Sequence, residues 1–216
     1  MRYLIEKMIT LLLRLWSLVY PYKLNQHWHS FCDFLYTSWV RNFIGEVGNN
    51  TSFSRPLFLQ GGGERRIKIG SNTTFGNHCI LGCWESYGED GHYEPEIIIG
   101  GHCSIGEYCH ITAINKITIG DGLLTGRFVY IGDNAHGGLS WEEAEIAPVR
   151  RRLTSKGEIK IGRNVWIGDK VSIFGGVTIG DNVIIGAGSI VTHDIPSNCV
   201  AVGAPTQIVK NIKVKI

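Results

Sequence analysis

The chain has 216 residues, 44% of them hydrophobic, enough to bury a substantial core in one domain or two. Its formal charge of +2 is close to balance and excludes a dedicated nucleic-acid binder. With 28 glycines against 6 prolines, the composition suits a fold with many corners and argues against a disordered, low-complexity chain.

Residues 1–60 differ from the rest. Leu4, Ile5, Met8, Ile9, Leu11, Leu12, Leu15, Trp16 and Val19 recur at helical spacing and crowd beyond one stripe, until Pro21 ends the run. The apolar stretch from Met8 to Tyr20 is too short to span a bilayer, and Arg14 interrupts it. No small-residue cleavage site follows, so a secretory signal is not expected. Two readings stand: a helix packed on the rest of the chain or on a partner subunit, or a helix lying in a membrane interface, which makes residues 1–45 a candidate peripheral membrane contact. A second helical segment, about 25–45, carries Trp28, Phe31, Phe34, Leu35, Trp39, Val40 and Phe43. It is expected to pack on the first helix and to cap the open end of the repeat region beyond it.

A six-residue beat starts with Ile69-Gly70 and Phe75-Gly76. A polar stretch, Trp84 to Glu96, interrupts it. The beat returns as IGGHCS and IGEYCH over 99–110, slips by two residues near Asn115, and runs on through His136. Residues 137–154 interrupt it again. Their length equals three hexads, but the places due to be aliphatic hold Gly137 and Glu143, so an excursion loop is expected. From residue 161 the chain reads IGRNVW, IGDKVS, IFGGVT, IGDNVI, IGAGSI and VTHDIP without a gap.

An aliphatic residue at the first place, Gly usually at the second and a small or branched residue at the fifth suit a short strand followed by a corner. Such a chain is mainly β and winds into a parallel β-helix, expected here over 61–205, with 206–216 as a tail. Cys79, Cys103 and Cys109 occupy fifth places, as do Thr73, Val165, Val171 and Ser189, and read as small inward fillers. The six cysteines show no zinc-ribbon spacing, and their usage fits a reduced, cytoplasmic setting.

Function must come from where the repeat breaks. His136 closes the hexad Ile131-Gly-Asp-Asn-Ala-His, at the corner from which the charged loop departs. A neutral imidazole accepts a proton near pH 7, which makes His136 a candidate general base. Asp133 and Asn134 are near enough in sequence to fix its tautomer. Trp166 sits at a sixth, outward place; an exposed indole there serves either a subunit interface or a ligand platform.

With IGDNAHGG, the loop ending APVRRRLTSKGEIKIG, the block NVWIGDKVSIFGGVTIGDNVIIGAGSIVTHDIP and the closing VGAPTQIV, residues 65–212 resemble the hexapeptide-repeat acyltransferases. The chain is most similar to the O-acetyltransferases of bacterial capsule, lipopolysaccharide and exopolysaccharide sugars. The resemblance implies a left-handed winding, a homotrimer with active sites between neighbouring solenoids, and acetyl-CoA as co-substrate, with no metal. It places the catalytic histidine at His136 and CoA contacts at Asp169, Ala187, Thr192, His193, Gln207 and Lys210. His193 replaces a common Lys, and Gln207 stands where some relatives have Arg; Lys210, Lys213 and Lys215 are then the candidate phosphate contacts. Trp166 matches a ligand-holding position of the polysaccharide-modifying relatives. Some relatives place an Asn beside the histidine from the previous coil; here His110 lies nearest by alignment and Asn115 is shifted.

For the acceptor, the excursion loop offers Trp141 for stacking, Glu142, Glu143 and Glu145 for hydroxyls, and Arg150, Arg151 and Arg152 for an acidic sugar or a phosphate. The same acidic-then-basic loop is equally suited to pair with itself. The interruption at 84–96 is a further candidate lining of the cleft. The alternatives are a drug O-acetyltransferase of streptogramin or chloramphenicol type, a zinc lyase of carbonic-anhydrase type, and a non-catalytic solenoid. The lyase needs three histidines on one metal, and the sequence shows no close-spaced ligand pair.

Overall fold

Each hexad supplies one short strand and one corner, and the strands fall on three flat sides. The computed structural model describes residues 1–88, 91–138 and 140–212. The first sheet runs Glu46–Val47, Ile67–Ile69, Glu96–Ile99, Lys116–Ile119, Ile159–Ile161 and Thr178–Ile179. The second runs from Ser52–Phe53 through Thr74–Phe75, Ser104–Ile105, Leu124–Thr125, Trp166–Ile167 and Ile184–Ile185 to Cys199–Val202. The third holds Leu57–Gln60, Cys79–Cys83, His110–Ala113, Tyr130–Gly132, Ser172–Phe174 and Ile190–Val191. Neighbours within these runs pair in parallel, so each coil rests on the one before.

The interior is a set of aliphatic columns. Ile67, Ile97, Ile117 and Ile159 follow one another in register down the first sheet and are fully buried. Burying such a side chain contributes about 1.5–3 kcal/mol each, so the columns carry most of the stability. Cys79, Cys103 and Cys109 are buried among them as free thiols. The second-place glycines answer to coil spacing: a Cβ on Gly70 would come within 2.5 Å of the Gly101 nitrogen. At the corner between the first and second sheets Asn50, Asn72, Asn164, Asn182 and Asn198 all have φ between 55° and 61°. Asn tolerates that left-handed conformation better than most residues, and here its amide also links coils, as from Asn182 Nδ2 to Asn198 Oδ1 at 2.9 Å.

Three expectations need correction. The solenoid begins at residue 46, not 61: residues 46–60 form a complete first coil, paired strand by strand with the next. The second helix, α2, spans Tyr22–Val40 rather than 25–45. It does not pack on the first, α1 (Arg2–Val19), none of whose residues is buried. Its C-terminal half does cap the solenoid. Thr37 Oγ1 accepts the Phe53 N–H at 2.9 Å, and the Tyr36 hydroxyl accepts the Leu57 N–H at 2.9 Å while donating to the Leu57 carbonyl at 3.1 Å. These bonds satisfy backbone groups that a further coil would otherwise take. At the other end, Gln207–Asn211 of the expected tail forms an antiparallel strand on Cys199–Val202. Lys213 and Lys215 lie outside the described residues.

Candidate active site

The third sheet's strand Tyr130–Gly132 ends at Asp133, which is 2% exposed. Its carboxylate accepts the N–H groups of Ile114 at 2.9 Å and Asn115 at 3.0 Å, in the coil before. Those amides belong to the two-residue slip near Asn115, so the slip and the buried carboxylate form one device. Burial pushes the Asp133 carboxyl upward, and the backbone N–H groups it accepts oppose that shift.

After Asp133 the chain leaves the solenoid. Asn134–His136 pairs antiparallel with Leu153–Ser155, bringing His136 opposite Leu153. The loop between is self-braced. Ser140 caps α3 (Trp141–Ala144) by accepting the Glu143 N–H at 3.2 Å, and Glu143 Oε2 accepts the Gly138 N–H at 2.6 Å. Arg151 Nε donates to the Ile146 carbonyl at 2.8 Å. Arg151, read from sequence as a contact for an acidic acceptor, therefore ties down its own loop. Trp141 is 77% exposed and carries no such task.

The earlier interruption folds as a small antiparallel hairpin, Ser86–Tyr87 against Gly91–His92, and the two excursions clasp each other. The Tyr87 hydroxyl donates to the Val149 carbonyl at 3.3 Å, and the Tyr87 ring meets the His136 ring edge-on, centroids 5.1 Å apart. The Tyr93 hydroxyl donates to the Leu153 carbonyl at 3.0 Å and accepts the Leu153 N–H at 2.9 Å.

Between the hairpins and the third sheet lies a cavity of about 220 Å³ lined by Trp84, Tyr87, His110, Thr112, Tyr130, Asn134, His136 and Leu153. Trp84 Nε1 donates to Thr112 Oγ1 at 3.1 Å. His110 lies edge-on to Tyr130, centroids 5.5 Å apart, and its Nε2 is covered with no hydrogen-bond partner. Burial pulls the His110 imidazole below its ordinary value and favours the neutral ring. A second groove, about 600 Å³, is lined by Asp133, Asn134, Gly137, Lys156, Phe174 and Thr192, among others. Asn134 borders both spaces, so the strand 134–136 is a partition between them.

Of the candidate catalytic residues, exposed His136 opens on the cavity, while Asp133 and Asn134 are engaged elsewhere: Asn134 Nδ2 donates to the carbonyl and Oγ1 of Thr112, both at 3.2 Å. Neither residue hydrogen-bonds the imidazole, which corrects the expectation that they fix its tautomer. Thr192 lines the groove, and His193 follows it at the same corner. Trp166, 52% exposed, projects from the second sheet; Asp169, which accepts the Arg127 N–H at 2.7 Å, and Ala187 occupy the corner beyond it. Gln207 and Lys210 are exposed on the last strand of the second sheet. One chain alone does not bring these five to His136. The 84–96 interruption lines the cavity as expected, through Trp84 and Tyr87, although neither residue was singled out; sequence reasoning missed Tyr130 and Phe174. Tyr130, at an outward place six residues before His136, was within reach of the repeat; Tyr87 was not, because it lies in a stretch without period. Among the described residues no group of three His, Cys, Asp or Glu side chains is placed to hold a metal ion.

The family described as bacterial transferase hexapeptide (six repeats) matches residues 158–193. The putative lipopolysaccharide biosynthesis O-acetyl transferase WbbJ of Escherichia coli K12 is 31% identical over 159 residues, 72% of this chain and 76% of its own length. Galactoside O-acetyltransferase of the same organism is 39% identical over 138 residues, 58% of this chain and 63% of its own length. Among solved structures, a maltose O-acetyltransferase from Clostridium difficile 630 is 31% identical, with 81% of this chain and 73% of that one covered and a TM-score of 0.54. AntD, an N-acyltransferase from Bacillus cereus solved with dTDP and 3-hydroxybutyryl-CoA, superposes with a TM-score of 0.64 over 82% of this chain and 87% of its own, at 21% identity. That likeness bears on the fold alone.

Proposed function

Since the chain belongs to the hexapeptide-repeat acyltransferases, as a left-handed parallel β-helix and an acetyltransferase of that family, we propose that it acetylates a sugar hydroxyl of a surface polysaccharide or its precursor, with His136 as general base. The observation that carries this reading is the partition: an exposed imidazole on a strand with an aromatic-lined cavity on one side and a larger groove on the other. Acetyl-CoA supplies the activated acyl group as a thioester. The groove volume lies within the range of small-molecule sites, and Thr192 and Lys156 give it polar walls.

His136 takes the proton of the acceptor hydroxyl as its oxygen attacks the thioester carbonyl. The carbon–sulfur bond then breaks, and the imidazolium returns the proton to the departing thiolate. Backbone N–H donors beside the thioester carbonyl stabilise the oxyanion. Tyr87 orients the ring from its edge, taking the task first assigned to Asp133 and Asn134. Trp84, Tyr87 and Trp141 offer flat faces to a sugar, and holding both substrates at the partition supplies the orientational part of catalysis.

None of Trp166, Asp169, Ala187, Gln207 and Lys210 lines the cavity or the groove of this chain, so on this reading they meet His136 of a neighbouring copy. This supports a homotrimer with the CoA arm between solenoids. A reaction that consumes acetyl-CoA belongs in the cytoplasm.

The test incubates the protein with acetyl-CoA and a panel of sugars, chloramphenicol and a streptogramin, reading thiol release and the acetyl ester formed. A sugar acceptor whose turnover depends on His136 is expected. Preference for a drug over every sugar, or thiol release unaffected by His136→Ala, would overturn the reading.

A further inference from the structure

The two helices before the solenoid carry an apolar surface that none of the described residues covers. Tyr3, Glu6, Lys7, Thr10, Leu11 and Arg14 line one side of α1. At 100° per residue, Ile5, Met8, Leu12, Leu15, Trp16 and Val19 fall on the opposite side, each 46–72% exposed. α2 has two faces as well. Tyr36, Thr37 and Val40 meet the first coil, whereas Leu24, Trp28, Phe31, Leu35 and Trp39, spaced by three or four residues, form a stripe 47–58% exposed. No helix among the described residues is long and apolar enough to cross a membrane.

We propose that residues 1–45 dock on an anionic lipid bilayer, with α1 lying in the interface and the aromatic stripe of α2 entering the headgroup layer. Charge favours this occupant. The polar side of α1 carries Arg2, Lys7 and Arg14 against a single carboxylate, Glu6, which Arg2 already pairs at 3.0 Å. Lys7, whose ammonium lies over the Tyr3 ring 4.7 Å from its centroid, and Arg14 have no carboxylate partner among the described residues and are the charges offered to lipid phosphates. Trp16, Tyr22, Trp28 and Trp39 are the residue types that settle at headgroup depth. A second copy fits less well. Helix pairing needs a narrow seam, but Leu4, Ile9 and Leu18 widen the apolar arc of α1 to about half its circumference. A bilayer covers such an arc; one partner helix covers only a stripe of it.

The experiment floats the purified full chain with phosphatidylcholine vesicles, with and without phosphatidylglycerol. Binding to the anionic vesicles at least about tenfold stronger than to the neutral ones, and weakened by salt, is expected. Leu12→Asp combined with Trp16→Asp is expected to lower the bound fraction at least about tenfold, with an unchanged thermal melt because neither residue is buried. Wild-type protein that stays unbound on both vesicles, binds both equally, or floats no better than the double variant overturns the proposal. So does a double variant whose particle mass falls in light scattering, since the face then belongs to a second copy.

Discussion

Tyr93 grips Leu153 from both sides of one peptide plane pair, donating to its carbonyl at 3.0 Å and accepting its N–H at 2.9 Å. Leu153 is in turn the strand partner of His136. The position of the candidate base is therefore set from the other excursion, through one phenolic oxygen. Tyr36 holds Leu57 in the same way where α2 meets the solenoid.

Tyr93→Phe tests that grip. It leaves two backbone groups of a nearly buried residue without their partner, at a cost of about 1–3 kcal/mol. The expected result is a melting temperature lower by several degrees and a reduced kcat/KM, with acetyl-CoA affinity little changed. Calorimetry and steady-state kinetics on the same preparation measure both. A variant with wild-type kcat/KM would disconnect the two hairpins functionally.

His136→Ala is expected to lose at least about 100-fold in turnover while still binding acetyl-CoA. Titration calorimetry with CoA separates the two quantities. Simultaneous loss of CoA binding would make His136 a structural or CoA-contacting residue instead.

Trp166→Ala is expected to weaken ligand binding by roughly tenfold, since truncating an exposed indole platform removes a large flat contact. Light scattering on the same variant reports whether the assembly survives. Unchanged kinetic constants in an intact assembly would show that Trp166 touches neither substrate.

His110 gives a pH signature. Burial holds its folded-state value low, whereas the unfolded chain takes up a proton near about pH 6.5. Between those values the unfolded state binds more protons, so stability falls as pH drops below about 6.5. His110→Phe removes this contribution, and its unfolding free energy is expected to change less between about pH 7 and 5 than that of the parent. Asp133, shifted upward by burial, acts with the opposite sign in both proteins and cancels in the difference. Parallel pH profiles from denaturant titrations would count against a buried neutral ring.

The columns of the core were legible because each hexad repeats one inward pair, and a period is visible at any distance along the chain. The first coil was missed although its signal is present: Thr51 and Phe53 match Thr73 and Phe75 twenty-two places later, with Val47-Gly48 standing where the next coil has Ile69-Gly70. The excursions were legible as interruptions and as candidate linings of the cleft, but not in their contacts. What they do depends on Tyr87 finding His136 and Tyr93 finding Leu153, and contacts between two aperiodic segments leave no regular mark in a single sequence. Asp133 shows a related limit. Its nearness to His136 suggested a partner, but the turn sends its carboxylate down to the preceding coil instead.

Both hairpins depart near the junction of the third and first sheets, and each rejoins the stack in register. The winding thus tolerates additions there without disturbing any rung above or below. Lineages sharing this scaffold are free to lengthen, shorten or exchange those two inserts independently of the core. Exchanging those two inserts is accordingly expected to change which acceptor is taken while leaving the stacked coils in place.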